Sequence, residues 1–347
     1  MKIVRLGRTG IQAPIIGFGG IPIQRLTEPE AVRVVQRCLD LGVTFIDTAN
    51  GYTTSEERIG KAIAGRRDQV ILATKSGAHD RATAQGHLEL SLKRLQTDYI
   101  DIWQFHGINN PEGYQRIMGP DGAMEAAQQA LQAGKIRHIG FSSHSMDMAL
   151  ELVPTGYFET VQFPFNFITN EPATTLLPLA IQHEVGFIAM KPMAGGLLDD
   201  ATFAIRYLLQ FDGVVLDPGI EKEREIEEIV SLANGDWRMT EADRREMERM
   251  RAELGTRFCR RCQYCQPTCP QEIAISTALN IRSFWKRMPA ERIFAGNFAQ
   301  TMATAETCIE CGECETKCPY QLPIRDMLSE SVDFYRRLKA EWEAARG

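Results

Sequence analysis

From the N-terminus to about residue 235, short runs of β-branched and aromatic residues alternate with stretches whose apolar positions recur at helical spacing. That alternation is the pattern of βα units around a parallel sheet. It predicts strands near 14–19, 43–47, 70–75, 99–105, 136–141, 159–163, 186–190 and 213–216. Eight such strands fit one closed (β/α)8 barrel. Thr27 as N-cap, Pro29 and Glu30 in the first turn and Gly42 at the far end predict a helix over 28–41. Residues 107–122, with two Pro and four Gly, read as a long loop after the fourth strand. Loops on that face of a barrel cover the substrate. Residues 221–234 read as the eighth helix, and Thr240 to Leu254 as a charged, solvated connecting helix.

From Arg257 the strand signal disappears and cysteine becomes frequent. The stretch from Gln271 to Thr307 carries helical patterns such as Ile275, Leu279, Ile281, Phe284 and Trp285. Residues 321–346 form an amphipathic helix with Leu322, Ile324, Met327, Leu328, Phe334, Leu338 and Trp342 on one face, expected to pack against the barrel. The expected divisions are a barrel over 1–235, a connecting helix over 236–256, a small mainly α-helical domain over 257–320 and a terminal helix over 321–347.

A net charge of −6 with scattered Lys and Arg argues against a nucleic-acid partner. No apolar run approaches the ~20 residues of a membrane span. Met1-Lys2-Ile3-Val4-Arg5-Leu6-Gly7 is broken too early by Arg and Gly to be a secretory signal, so a cytoplasmic location is expected. Of nine cysteines, Cys38 stands alone on a helix and reads as a small core hydrophobe. The rest fall in two tight groups, and thiols at ligand spacing in a cytosolic chain suggest metal before disulfide.

Those groups share one spacing: Cys259-x2-Cys262-x2-Cys265-x3-Cys269-Pro270 recurs as Cys308-x2-Cys311-x2-Cys314-x3-Cys318-Pro319. It is the spacing of bacterial two-cluster ferredoxins, in which the fourth Cys of each run serves the other cluster. Two [4Fe–4S] clusters are therefore expected, one on Cys259, Cys262, Cys265 and Cys318, the other on Cys308, Cys311, Cys314 and Cys269. Structural zinc, the competing reading, uses paired Cys-x2–4-Cys units without so close a third Cys. With helices between its motifs, the domain resembles the α-helical ferredoxins of multi-subunit reductases.

The second strand runs Phe45-Ile46-Asp47-Thr48-Ala49-Asn50-Gly51-Tyr52, passing from apolar residues into an acid and a phenol at the functional end of a barrel. This wording resembles the aldo-keto reductase family, whose second strand ends Asp-Thr-Ala-x-x-Tyr. Leu6-Gly7-Arg8-Thr9-Gly10 with Gly17-Phe18-Gly19-Gly20 resembles the family's opening hairpin and first strand. Ser91-Leu92-Lys93-Arg94-Leu95 before Asp98-Tyr99-Ile100-Asp101 resembles its third helix and fourth strand, and Gly140-Phe141-Ser142-Ser143 its fifth-strand exit.

The resemblance implies a catalytic tetrad of Asp47, Tyr52, Lys75 and His106. A carbonyl accepting hydride develops negative charge on oxygen, which a placed proton donor stabilises. Tyr52 would be that donor, made more acidic by the Lys75 ammonium, with Asp47 fixing Lys75 and His106 orienting the carbonyl. The resemblance also implies an NADP(H) site. Ser142, Ser143 and Gln162 would hold the carboxamide, and Lys191 to Leu197, with Gly195 and Gly196, would wrap the pyrophosphate. Arg224 would meet a 2′-phosphate, and Glu227 or Glu228 the adenine. Two positions depart from the family: Met190 stands where an aromatic ring usually stacks on the nicotinamide, and Ile220-Glu221-Lys222-Glu223 is acidic for a phosphate site.

The expectation is an oxidoreductase acting on a small carbonyl or alcohol, with a redox partner protein for its clusters. At least one cluster is expected near Tyr52 and His106, because the family's segment after the eighth helix folds over the barrel mouth. Nicotinamide delivers two electrons as hydride, whereas each cubane passes one, and no flavin motif is visible to convert between them. A cluster-fed one-electron reductase without nicotinamide, and a non-catalytic electron-transfer or redox-sensing protein, are the alternatives.

Overall fold

Among the described residues, short β-branched and aromatic segments of the first 220 positions fold as ten strands. In the computed structural model, which describes residues 1–198 and 200–346, β1 (Ile3–Arg5) and β2 (Gln12–Pro14) pair as an antiparallel hairpin. Eight further strands form one parallel sheet in sequence order: β3 (Phe18–Gly19), β4 (Phe45–Asp47), β5 (Ile71–Ser76), β6 (Ile100–Phe105), β7 (Ile136–Ser142), β8 (Thr160–Pro164), β9 (Gly186–Met190) and β10 (Val214–Asp217). The sheet closes on itself. Gly17 N–H donates to Leu216 O at 2.7 Å, Leu216 N–H to Ile15 O at 2.8 Å and Gly19 N–H to Pro218 O at 2.8 Å. A Cβ on Gly19 would stand 2.8 Å from that Pro218 oxygen, so the seam requires glycine.

The hairpin docks at the amino-terminal end of the barrel. Gly7 adopts φ +50°, and any side chain there would run into the Glu184 carbonyl. Arg8 donates to the carbonyls of His183 and Phe158 at 2.9 and 2.6 Å. At the same end, Asp101 accepts from Arg67 at 2.8 Å, Arg137 at 3.1 Å and the Leu72 amide at 3.0 Å. Both guanidinium groups lie about 4 Å from the centroid of the Tyr99 ring, 4.0 Å for Arg67 and 3.9 Å for Arg137. The Asp98-Tyr99-Ile100-Asp101 stretch is thus a stability motif, as positions at that end of a barrel generally are.

Around the sheet run α1 (Glu28–Asp40), α2 (Ser55–Ala62), α3 (Arg81–Leu95), α4 (Pro111–Met118), α5 (Ala123–Gln132), α6 (Met146–Leu152), α7 (Leu176–Gln182), α8 (Ala201–Leu208) and α9 (Glu223–Asn234). Helix α1 begins as its sequence says, with the Thr27 amide donating to Glu30 Oε2 at 2.9 Å. Cys38, on its inner face, is fully buried. One expectation fails. Residues 107–122 are not loop throughout, because α4 forms inside them. Asn110 Oδ1 accepts from the Gly113 amide at 2.7 Å and Pro111 occupies the first turn, where its missing N–H costs nothing.

The chain divides into compact units at Met1–Asp243 and from Arg244 onward, with the division inside helix α10 (Glu241–Gly255). The second unit is helical, with α11 (Ile275–Leu279), α12 (Ile281–Trp285), α13 (Ala290–Ile293), α14 (Gly296–Ala305), α15 (Glu313–Thr316) and α16 (Ile324–Ala344). Its core has aromatic residues at its centre. The Phe294 ring lies 5.6 Å from Trp285, 5.5 Å from Tyr335 and 5.0 Å from Trp342, and Phe284 lies 4.9 Å from Phe298. Tyr335 and Trp342, on α16, thus find their partner inside their own unit. No helix among the described residues is long and apolar enough to cross a membrane.

Candidate active site and cysteine centre

The turn that follows β4 is held from several sides. The Tyr52 amide donates to Ala49 O at 2.9 Å, the Ser55 amide to Tyr52 O at 2.8 Å and the Asn50 amide to Lys75 O at 2.9 Å. The Ser55 hydroxyl bonds Thr48 Oγ1 at 2.9 Å and Gly20 O at 2.8 Å. Buried Glu56 accepts from Thr74 Oγ1 at 2.7 Å and pairs with Arg94 at 3.4 Å. These ties set where the phenol of Tyr52 stands.

Under that turn lies a buried ion pair. Lys75 Nζ donates to Asp47 Oδ2 at 2.5 Å and to Thr48 O at 2.7 Å, with both charged side chains at most 3% exposed. Burial by itself would strip the lysine of its proton. Led by the charge of Asp47, the groups around it more than reverse this, and the Lys75 pKa lies above its ordinary value. The ammonium stands 5.4 Å from the centroid of the Tyr52 ring. His106, at the exit of β6, meets Tyr52 edge-on, with ring centroids 5.8 Å apart and planes at 81°. The structure brings all four expected tetrad residues together at the carboxyl ends of β4, β5 and β6. A phenol beside a fixed ammonium and an imidazole can polarise and protonate a carbonyl oxygen.

Sequence reasoning missed Asp217. It ends β10, is 6% exposed, and its Oδ2 accepts from Gln162 Nε2 at 2.8 Å. Burial and the neighbouring Asp47 charge hold its carboxyl well above the usual carboxylate range, against the pull of Lys75. Gln104, also missed, donates to Asp47 Oδ1 at 3.4 Å. In the sequence, Asp217 is one acid before Pro218-Gly219 and reads as a strand end. Only the closure of β10 onto β3 carries it toward β4.

The residues expected at a nicotinamide site fall on neighbouring exits. Ser142 Oγ accepts from the Gly107 amide at 2.9 Å, and Ser143 Oγ donates to Ile108 O at 2.7 Å, so both hydroxyls also brace the segment after His106. Gln162 Oε1 is buried and accepts no hydrogen bond, an orphan that a carboxamide N–H would satisfy. After β9, Lys191 adopts φ +58° and its ammonium meets His144 Nε2 at 2.8 Å. Gly195 and Gly196 follow at φ +69° and +87°, a left-handed backbone turn that glycine adopts without strain. Arg224 is exposed in the first turn of α9. Glu227 is already engaged by Arg37 at 2.8 Å.

In the second unit the thiols sort by proximity. Cys265 lies within electrostatic reach of Cys259, Cys262, Cys318 and Cys314, and Cys262 within reach of Cys259 and Cys318. Cys314 lies within electrostatic reach of Cys308 and Cys269. Burial and mutual repulsion hold the Cys262, Cys265 and Cys314 thiols above their ordinary pKa. Thiolates gathered this closely need a cationic core to become stable together. Among the described residues no three Cys, His, Asp or Glu side chains converge on a single ion. A cubane does not require it, since each of its irons takes one protein thiolate.

Residues 15–235 match the aldo/keto reductase family, and residues 258–323 match the 4Fe-4S dicluster domain. The chain is 34% identical over 256 residues to the aldo-keto reductase YhdN of Bacillus subtilis (strain 168), covering 67% of this chain and 74% of that protein. It is 31% identical over 219 residues to L-galactose dehydrogenase of Arabidopsis thaliana, covering 58% and 68%. Among solved structures, the holo form of aldo-keto reductase AKR11C1 from Bacillus halodurans superposes with a TM-score of 0.63 at 26% identity, covering 72% of this chain and 96% of that one. An aldo/keto reductase from Klebsiella pneumoniae in complex with NADP and acetate gives 0.62 at 25%, covering 72% and 95%.

Proposed function

Since the chain belongs to the aldo/keto reductase family, we propose that this oxidoreductase reduces a small carbonyl, or oxidises the matching alcohol, with NADP(H) at Tyr52, Lys75, Asp47 and His106. Cys259, Cys262, Cys265 and Cys318 would hold one [4Fe–4S] cluster and Cys308, Cys311, Cys314 and Cys269 a second, and the pair would supply one-electron transfer toward a partner protein. The observation that carries the reading is the buried Lys75 ammonium, fixed by Asp47 at 2.5 Å beneath the ring of Tyr52.

In carbonyl reduction Tyr52 gives its proton to the carbonyl oxygen. The nearby ammonium of Lys75 stabilises the phenolate that remains, and opposite charge within a few ångström favours the ionised form. Asp47 keeps Lys75 charged and in place. His106 lies edge-on to Tyr52 and would hold the carbonyl oxygen within reach of the phenol. In oxidation the same groups run in reverse, with the phenolate taking the alcohol proton.

Nicotinamide would supply or accept the hydride at the reacting carbon. Support for its site comes from the unsatisfied Gln162 Oε1, the Lys191 ammonium and the left-handed turn at Gly195 and Gly196. The clusters would supply electrons one at a time, and the spacing of their ligands supports a self-closed pair. The reading is tested by anaerobic titration of the cluster-loaded chain with NADPH in the presence of simple aldehydes and ketones. Saturable binding with carbonyl-dependent NADPH consumption is expected. Absence of NADPH binding would overturn it in favour of chemistry fed only by the clusters. Visible absorbance followed in the same titration reports whether the clusters exchange electrons with nicotinamide.

A further inference from the structure

The interior of a (β/α)8 barrel is filled by layers of four side chains from alternate strands, mostly bulky and branched. One layer of this barrel departs from that rule. Asp47 of β4, Gln104 of β6, Gln162 of β8 and Asp217 of β10 come from alternate strands and are 2%, 0%, 1% and 6% exposed. They are linked in a row. Gln104 donates to Asp47 at 3.4 Å, Asp217 neighbours Asp47 with its buried Oδ1 receiving no donor, and Gln162 donates to Asp217 Oδ2 at 2.8 Å. Gly19 gives the row its space, since a Cβ there would stand 3.1 Å from Asp217 Oδ1.

Two carboxylates offer only acceptors to each other, so a hydrogen bond between them requires one proton. Asp47 has both oxygens engaged by donors, Oδ2 by Lys75 at 2.5 Å and Oδ1 by Gln104 at 3.4 Å. Asp217 has Gln162 on Oδ2, while its buried Oδ1 receives no donor and is free to carry a proton. The polar and charged groups facing Asp217 are Asp47 from β4, Lys75 from β5 and Gln162 from β8. Gly19 of β3 and Met190 of β9, its register partner, bring no charge.

We propose that Asp217 is a positioning residue that stays protonated at working pH and donates its proton to Asp47, so that the Lys75 ammonium faces one buried anion and keeps its field for Tyr52. An ionised Asp217 would leave the buried group with two anions and one cation. That surplus negative charge would oppose ionisation of Tyr52 and weaken it as an acid. Burial, which holds the Asp217 carboxyl high, works in the same direction as the geometry. The inference rests on the reading of Tyr52 as proton donor, but its first readout does not depend on turnover.

That readout is infrared absorption of the cluster-loaded chain at neutral pH. A protonated-carboxyl C=O band is expected, moving when aspartate carboxyl carbons are labelled with 13C and disappearing in Asp217→Asn. The labelled wild-type chain needs no substitution, so the test survives if the variant fails to fold. Absence of an aspartate band in the wild-type chain overturns the proposal. The second readout is the alkaline limb of kcat/KM for carbonyl reduction. Asparagine is neutral and can still donate to Asp47, so the limb should stay within a few tenths of a pH unit. Were Asp217 an anion, its removal would move the limb down by about one unit or more, and that result also overturns the proposal. If carbonyl turnover proves independent of Tyr52 while the infrared band is present, the donor assignment has failed and the protonation of Asp217 has not.

Discussion

Lys75 holds its ammonium 5.4 Å from the centroid of the Tyr52 ring while Asp47 grips it from the other side at 2.5 Å. That grip is the largest influence keeping the lysine charged in a buried setting. Removing one member of a buried ion pair strands the other, which costs about 3–5 kcal/mol. Asp47→Asn should therefore lower the denaturant midpoint of the cluster-loaded chain and depress kcat for carbonyl reduction. The loss should be cushioned by Asp217, which can release its proton and take over as counter-ion. Asp47→Asn combined with Asp217→Asn should then lose more than the sum of the single changes. Strict additivity in that double-mutant cycle would show the two acids to be energetically independent.

The cysteine groups make a sharper structural prediction. Cys265 and Cys262 both lie within reach of Cys318, which belongs to the other sequence motif. Cys318→Ser should alter the spectrum or occupancy of one cluster and leave the cluster that uses Cys308, Cys311 and Cys314 intact. Low-temperature electron paramagnetic resonance of the reduced chain, with iron analysis, separates the two. Damage restricted to the second cluster would show that each motif supplies its own fourth ligand.

Cys38 should be chemically silent. It is fully buried, and burial pushes its thiol well above the ordinary cysteine pKa, so the reactive thiolate is scarce even in alkaline buffer. Alkylation of the native, cluster-loaded chain near pH 8.5 should leave Cys38 unmodified by mass spectrometry. Rapid labelling of Cys38 would show that α1 opens locally under native conditions.

The eight strands were legible because each run of β-branched residues is short and ends in a turn signal, as in Val214-Val215-Leu216 before Pro218-Gly219. The gathering of Asp47, Tyr52, Lys75 and His106 was legible because Asp47 and Tyr52 share one strand exit and Lys75 and His106 end the next two. Helix α4 was hidden by counting Pro and Gly as loop residues, although Asn110-Pro111 is an N-cap followed by a first-turn proline. Asp217 and Gln104 were not legible at all. Nothing local distinguishes a strand residue that faces the barrel axis from one that faces a helix, and their meaning arises only when alternate strands meet in one layer.

The most direct test of the account is carbonyl reduction by Tyr52→Phe. The substitution removes one hydroxyl from a turn held by Ala49, Ser55 and Asn50 backbone bonds, so fold and iron content should match the wild type. NADPH binding should persist while kcat for carbonyl reduction falls by about 10²–10⁴-fold, the usual contribution of a positioned general acid. Turnover at the wild-type rate in a variant with full iron would contradict the assignment of Tyr52 as the group that protonates the substrate.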